Sequence, residues 1–221
     1  MRFVLALAVL GTVSLTPHLP AEAAAAAPAV GQHVLSPLYG VPIGDDPLAP
    51  LALEAVESWH IYLVTGIPTY FARHLELRDD LAAAAATRLG IDPLRLQHAW
   101  AMAPQANMLV LLTAMTQLGV SYRTDTSEPG RGFDCSGLTM WAWSFGGVAL
   151  TRSSGDQIRE ATSRAPEEAQ PGDLIHYPGH ISLYLGIDRA IIHSPEPGRG
   201  VEFGMVTERN GRRVRFAHPL D

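Results

Sequence analysis

A chain of 221 residues, 47% hydrophobic and 17% charged, has a globular balance and enough apolar side chains for a sizeable core, which excludes intrinsic disorder. Its formal net charge of −6, with arginine as its only strongly basic residue type, argues against a nucleic-acid partner, which would require a basic face. The single cysteine, Cys135, excludes an internal disulfide, so the fold must stand on its hydrophobic core.

The chain opens "MRFVLALAVLGTVSLTPHLPAEAAAAAP", with Arg2, an apolar run from Phe3 to Leu15, and then small residues that offer places to cut. This layout predicts a secretory signal over residues 1–27, removed between Ala24 and Ala27. The apolar run is shorter than the ~20 residues of a spanning helix. No later stretch reads as membrane-spanning, so the mature chain is expected in an oxidising, extracytoplasmic space.

Residues 28–50 are rich in Pro and Gly without apolar periodicity, which predicts a linker or extended arm. Helical periodicity follows over 51–103. Ala52, Val56, Trp59 and Leu63 recur at three- and four-residue steps. "RDDLAAAAATRLG" reads as a second helix with acids in its first turn and Gly90 past its end. A third opens at Asp92, the N-cap, with Pro93 in the first helical position.

From Pro104 the pattern changes. "NMLVLLTAMTQLG" is another helix, a Gly-rich loop leads to Cys135 and a further helix, and from "PGDLIHY" short apolar runs are punctuated by Gly, Pro and Asp. Helices followed by strands predict an α+β domain with a small antiparallel sheet over 104–221, preceded by the helical extension 51–103.

In "FDCSGL", Asp134 is a good N-cap, which places Cys135 in the first helical turn, where unpaired N–H groups and the helix dipole favour a thiolate. Ser136 and Gly137 are small enough to leave room for a substrate. A lone cysteine without context is more often a buried structural residue, so the neighbours decide. A thiolate nucleophile needs a base held close by. In "GHISLYLGIDRAIIHSPEPG", His180 starts an alternating strand, and a turn at "GIDR" returns the chain to His193. If Gly186 pairs with Arg189, His193 falls opposite Ser182, which makes it the diagonal neighbour of His180 on one face. A loop one residue longer or shorter turns His193 to the other face.

Taken in order, "FDCSGL" with its Trp-containing helix, "PGDLIHY", "GHISLYLG" and "IIHSPEPG" resemble the NlpC-type cysteine peptidases, papain-like enzymes of bacterial cell walls, over roughly Asn107 to the C-terminus. The resemblance implies a papain-like fold, with Cys135 as nucleophile, His180 as general base and His193 as the residue orienting His180. It matches Tyr122 to the family's active-site tyrosine and places Arg152, Ser153 and Gln157 on the cleft wall, with Asp134 and Ser136 beside the oxyanion. Where the family usually continues "Y-x-W-G-G" from the tyrosine, this chain reads "YRTDTSEPGRGF", and His176 stands at a position that in the family tends to be apolar or aromatic, as a rim residue or a substrate contact.

The implied activity is hydrolysis of an amide bond in a peptidoglycan stem peptide, between γ-D-glutamyl and a diamino acid, by a secreted or wall-associated enzyme with no metal or other cofactor. The alternatives are a thiol-dependent amidase or acyltransferase on another substrate, and a non-catalytic wall-binding module.

Overall fold

A computed structural model describes residues 36–206 and 214–219; the expected signal over 1–27 lies outside the described residues. Among the described residues, six helices and eight strands follow in the order α1 (Leu48–Thr65), α2 (Pro68–Leu89), α3 (Pro93–Met102), α4 (Gln105–Met115), β1 (Ser127–Glu128), β2 (Gly132–Phe133), α5 (Cys135–Phe145), α6 (Ser154–Glu160), β3 (Thr162–Arg164), β4 (Leu174–Tyr177), β5 (His180–Tyr184), β6 (Ala190–His193), β7 (Glu202–Met205) and β8 (Arg215–His218). The class is α+β, with helices packed on an antiparallel sheet as expected of a papain-like domain.

The first element is not a free linker where it is described. Leu38 is buried in the core, Gly44 N donates to Thr116 O at 2.8 Å, and Gln117 Nε2 donates to Pro42 O at 3.0 Å. The segment is an arm laid along the end of α4. The first helix starts at Leu48, three residues before the expected Leu51, where Asp46 Oδ1, just ahead of the N-cap Pro47, accepts from Leu48 N at 2.9 Å. Its buried face is Leu48, Ala49, Ala52, Ala55 and Val56, while Leu63 is 61% exposed, so the expected stripe fails at its C-terminal end.

Helix α2 begins ten residues earlier than Arg78. Pro68 at its start needs no N–H partner, no side chain caps it, and the acids Asp79 and Asp80 fall mid-helix. Helix α3 starts as expected, with Asp92 Oδ1 accepting from Leu94 N at 2.9 Å and Arg95 N at 3.2 Å.

The six-stranded sheet runs β3-β8-β4-β5-β6-β7, antiparallel throughout. One face, with Leu174, Ile181, Leu183, Ala190, Ile192 and Ala217, packs into a core shared with α1 to α5. The other carries a smaller cluster of Ile175, Tyr184, Ile191 and Phe216. The helices over 51–103 therefore share one core with the sheet. Trp100 of α3 is wholly buried and donates its indole N–H to Leu185 O at 2.7 Å, and Arg95 pairs with Asp188 at 2.9 Å. No helix among the described residues is long and apolar enough to cross a membrane.

Candidate active site

Helix α5 begins where the sequence places it. Asp134 Oδ1 accepts from Gly137 N at 2.7 Å, the N-cap bond, and Cys135 is the first helical residue, half-buried against the core. Gly137 is required by close approach: a Cβ there would lie 2.1 Å from Thr126 O. The space left by Gly137 is taken up by the protein's own loop at Thr126. Ser136 is buried too, its Oγ held by Asp134 at 3.3 Å and by Arg152 Nη1 at 2.8 Å.

Arg152 also binds Asp134 Oδ2 through Nη2, so its guanidinium neutralises the carboxylate next to the thiol. Gln157 does not line the cleft. It is fully buried, and its amide is used within the protein: Nε2 donates to Ser136 O at 3.0 Å and Thr151 O at 2.7 Å, and Oε1 accepts from Thr139 Oγ1 at 2.7 Å. Asp134, Ser136, Arg152 and Gln157 form one network that fixes the start of α5. Ser153 serves elsewhere, as the N-cap of α6, its Oγ accepting from Asp156 N at 3.4 Å.

The two histidines meet. In the β5–β6 hairpin Leu183 pairs with Ile192 and Tyr184 with Ile191, a register that sets Ser182 opposite His193. Asp188 and Arg189 both adopt positive φ, 51° and 59°, and Ala190 N donates to Ile187 O at 2.9 Å. Two left-handed residues in succession suit the twist of the flanking strands and hold the loop at the length the register requires. His180 Nε2 and His193 Nδ1 lie 2.8 Å apart with the rings nearly perpendicular. Tyr177, opposite His180 on β4, stacks obliquely on that ring at 5.2 Å.

Both imidazoles are buried, and burial holds their proton affinities down, His180 to about 4 and His193 to about 3. His176 adds to the effect on His180; His180 and then Arg199 add to the effect on His193. The pair is therefore neutral near pH 7 and shares a single hydrogen-bonding proton between its facing nitrogens. His176 itself is half-buried on β4, opposite Ile181, and its own affinity is lowered by burial and Arg215.

Two links join the hairpin to the start of α5. Ser194, next after His193, donates its buried hydroxyl to Phe133 O at 2.7 Å, two residues before Cys135. Tyr122 bridges in parallel to Phe133, and its N–H donates to Arg199 O at 2.8 Å, so the tyrosine segment runs between the two. Ser194 and Thr139 were not singled out by the sequence reading; the position of Ser194 directly after a candidate histidine was the available signal. Among the described residues no three His, Cys, Asp or Glu side chains converge as a metal site.

Residues 119–214 match the NlpC/P60 family. The match to this family covers a little under half of the chain. It is 37% identical over 115 residues to the peptidoglycan endopeptidase RipB of Mycobacterium tuberculosis, covering 45% of this chain and 48% of RipB. It is 38% identical over 98 residues to a gamma-D-glutamyl-L-lysine dipeptidyl-peptidase of Bacillus cereus, covering 38% and 29% respectively. The chain thus spans under half the length of each of these relatives. An NlpC/P60 protein of Bacillus cereus, solved as a crystal structure, aligns with a TM-score of 0.48 at 29% identity, covering 54% of this chain and 41% of that one. The NlpC/P60 match begins at Gly119, so α1 to α4 lie outside it although they share its core.

Proposed function

We propose that this protein is an extracytoplasmic cysteine endopeptidase that hydrolyses amide bonds in peptidoglycan stem peptides, at the γ-D-glutamyl–diamino acid bond. The observation that carries the reading is the buried pair of imidazoles, joined at 2.8 Å on a hairpin that is itself hydrogen-bonded to the segment opening the Cys135 helix. A general base oriented by a third polar group beside a nucleophile is the arrangement thiol hydrolysis needs.

With Nε2 of His180 engaged by His193, Nδ1 is the nitrogen that exchanges a proton with the thiol. The thiolate of Cys135 attacks the amide carbonyl, forming the C–S bond while the carbonyl oxygen takes the negative charge. Backbone N–H groups at the start of α5 stabilise that oxyanion. The imidazolium of His180 protonates the departing amine as the C–N bond breaks, leaving a thioester. Water, deprotonated by His180, then hydrolyses the thioester and restores the thiol. The names of the relatives support the substrate class, and the secretory layout of residues 1–27 supports the compartment.

The test is incubation of the mature protein with purified peptidoglycan and mass analysis of the released fragments, beside Cys135→Ala. The expected result is fragments ending at γ-D-glutamate from the wild type and none from the variant. Equal release by both, or peptidoglycan binding without release, overturns the reading.

A further inference from the structure

The outer nitrogen of His193 has no role in the chemistry above, yet its surroundings are specific. His193 Nε2 is buried and makes no hydrogen bond. Strand β7 pairs alongside, with Glu202 opposite His193 in register, and the Glu202 Oε1 atom stands 3.8 Å from Nε2. Gly204, two residues on, leaves the ring edge its space, since a Cβ there would meet Nε2 at 2.9 Å.

Resting on the proposed catalytic reading, we propose that Glu202 is a positioning residue that accepts the Nε2 proton of His193, and that Arg199 sets how fully it does so by holding the same carboxylate. The tautomers follow from the chain of nitrogens. If Nδ1 of His180 must be free to take the thiol proton, Nε2 of His180 carries hydrogen and donates to Nδ1 of His193. A neutral His193 then carries its own hydrogen on Nε2, where a buried N–H without an acceptor is costly. Among the described residues, the carboxylate of Glu202 is the acidic group placed against it. At 3.8 Å the contact is too long for a hydrogen bond, so acceptance requires the carboxylate to turn toward the ring.

What holds the carboxylate back is Arg199, whose Nη2 binds Oε1 and whose Nε lies 3.3 Å from Oε2 of Glu202. The same guanidinium has a second partner, Glu196 Oε1, 3.5 Å from Nη1. Moved wholly onto Glu196, Arg199 releases Glu202 to His193. When His180 gains the thiol proton, the positive charge on the pair is then balanced by a carboxylate one imidazole away. Among the described residues, the charged and titratable groups around His193 are His180 on β5 with His176 behind it, Arg199 with its partner Glu196 on the β6–β7 loop, and Glu202 on β7. Glu202 also lines a cavity with Asp46 and Arg88, which pair with one another.

The test uses the full chain labelled with nitrogen-15, reading the imidazole tautomers and the protonation midpoint of the histidine pair, together with kcat/KM against pH on a γ-D-glutamyl–diamino acid peptide. Glu202→Gln keeps an acceptor and removes the charge; Glu202→Leu removes both; Arg199→Gln frees the carboxylate. Glu202→Gln is expected to keep His193 protonated on Nε2, lower the midpoint and the acid limb by ~0.5–1 pH unit, and reduce kcat ~10-fold with KM unchanged. Glu202→Leu is expected to mix the tautomers as well. Arg199→Gln is expected to move midpoint and limb the opposite way, which a structural role for either residue would not produce. Midpoints and tautomers that stay at wild-type values in the Glu202 variants overturn the proposal. If the wild type shows no Cys135-dependent turnover, the catalytic reading fails, and the imidazole measurements still decide the positioning role.

Discussion

Ser194 donates its hydroxyl to the carbonyl of Phe133 at 2.7 Å, across 61 residues of sequence, and this bond couples the strand ending in His193 to the turn entering the Cys135 helix. Phe133 O retains a second donor, Arg123 N at 3.0 Å, so Ser194→Ala leaves no orphaned carbonyl. The expected loss of stability is about 1 kcal/mol. The expected loss of kcat is larger in proportion, ~10- to 100-fold, if the proposed base and nucleophile depend on this bond for their placement. Single-turnover kinetics beside a denaturant melt separate the two; equal turnover at equal stability would remove the bond from the mechanism.

Trp100 anchors the closed end of the same hairpin through Leu185 O. Trp100→Phe keeps most of the buried ring and loses the donor, leaving a buried carbonyl. The expected cost is about 1–3 kcal/mol, with reduced turnover that a distal exposed substitution on α3, such as Leu94→Ala, does not show. Chemical denaturation and peptide turnover measured on both variants check this.

Gly204→Ala places a methyl group where a Cβ meets His193 Nε2 at 2.9 Å. The ring must move, and its 2.8 Å bond to His180 lengthens. The expected outcome is a folded protein with turnover reduced ~100-fold, in the manner of a lost triad orienter. Near-wild-type turnover with an unchanged His180–His193 coupling in nitrogen-15 spectra would show that the ring has slack.

The histidine pair also makes stability depend on pH. An unfolded histidine titrates near 6.5; folded, His180 is held to about 4 and His193 to about 3. Between those values the unfolded chain binds protons that the folded one refuses, so stability is complete above pH ~6.5 and falls as pH drops toward 4. His176 and His74, also lowered by burial, act in the same sense; Asp173, whose carboxyl burial raises, acts in the opposite one. Each excess proton is worth about 1.4 kcal/mol per pH unit. His193→Gln should therefore flatten the decline by roughly one proton relative to wild type, read from melting temperatures between pH 7.5 and 4.5. Parallel curves would mean that His193 titrates normally in the folded state.

What the sequence made legible was what local rules govern. Asp92 with Pro93 and Asp134 before Cys135 announce helix starts because the cap and the helix it caps are adjacent. The register of His180 against His193 followed from one loop length. The beginning of α2 was hidden because Ile67 before Pro68 offers no capping side chain, and the acids near Arg78 imitated a start. Gln157 looked like a cleft residue because its partners, Ser136, Thr139 and Thr151, are reached only by folding α6 onto α5. The attachment of Trp100 to Leu185 spans 85 residues, and nothing near Trp100 announces it.

Strand β8 enters the sheet between β3 and β4, with Leu174 pairing to Ala217 and Thr162 to His218. Until the ribosome has supplied residues 215–218, β3 has no neighbour, β4 has one bare edge, and Asp173 lacks the His218 imidazole that binds it at 2.6 Å. The order of synthesis and the order of pairing therefore disagree: Cys135 and both histidines are made before the sheet that stiffens them is able to close. Contacts so distant along the chain slow folding through the entropy of closing long loops. A nascent chain halted at residue 214 would hold every side chain proposed for catalysis beside a sheet still bare along β4.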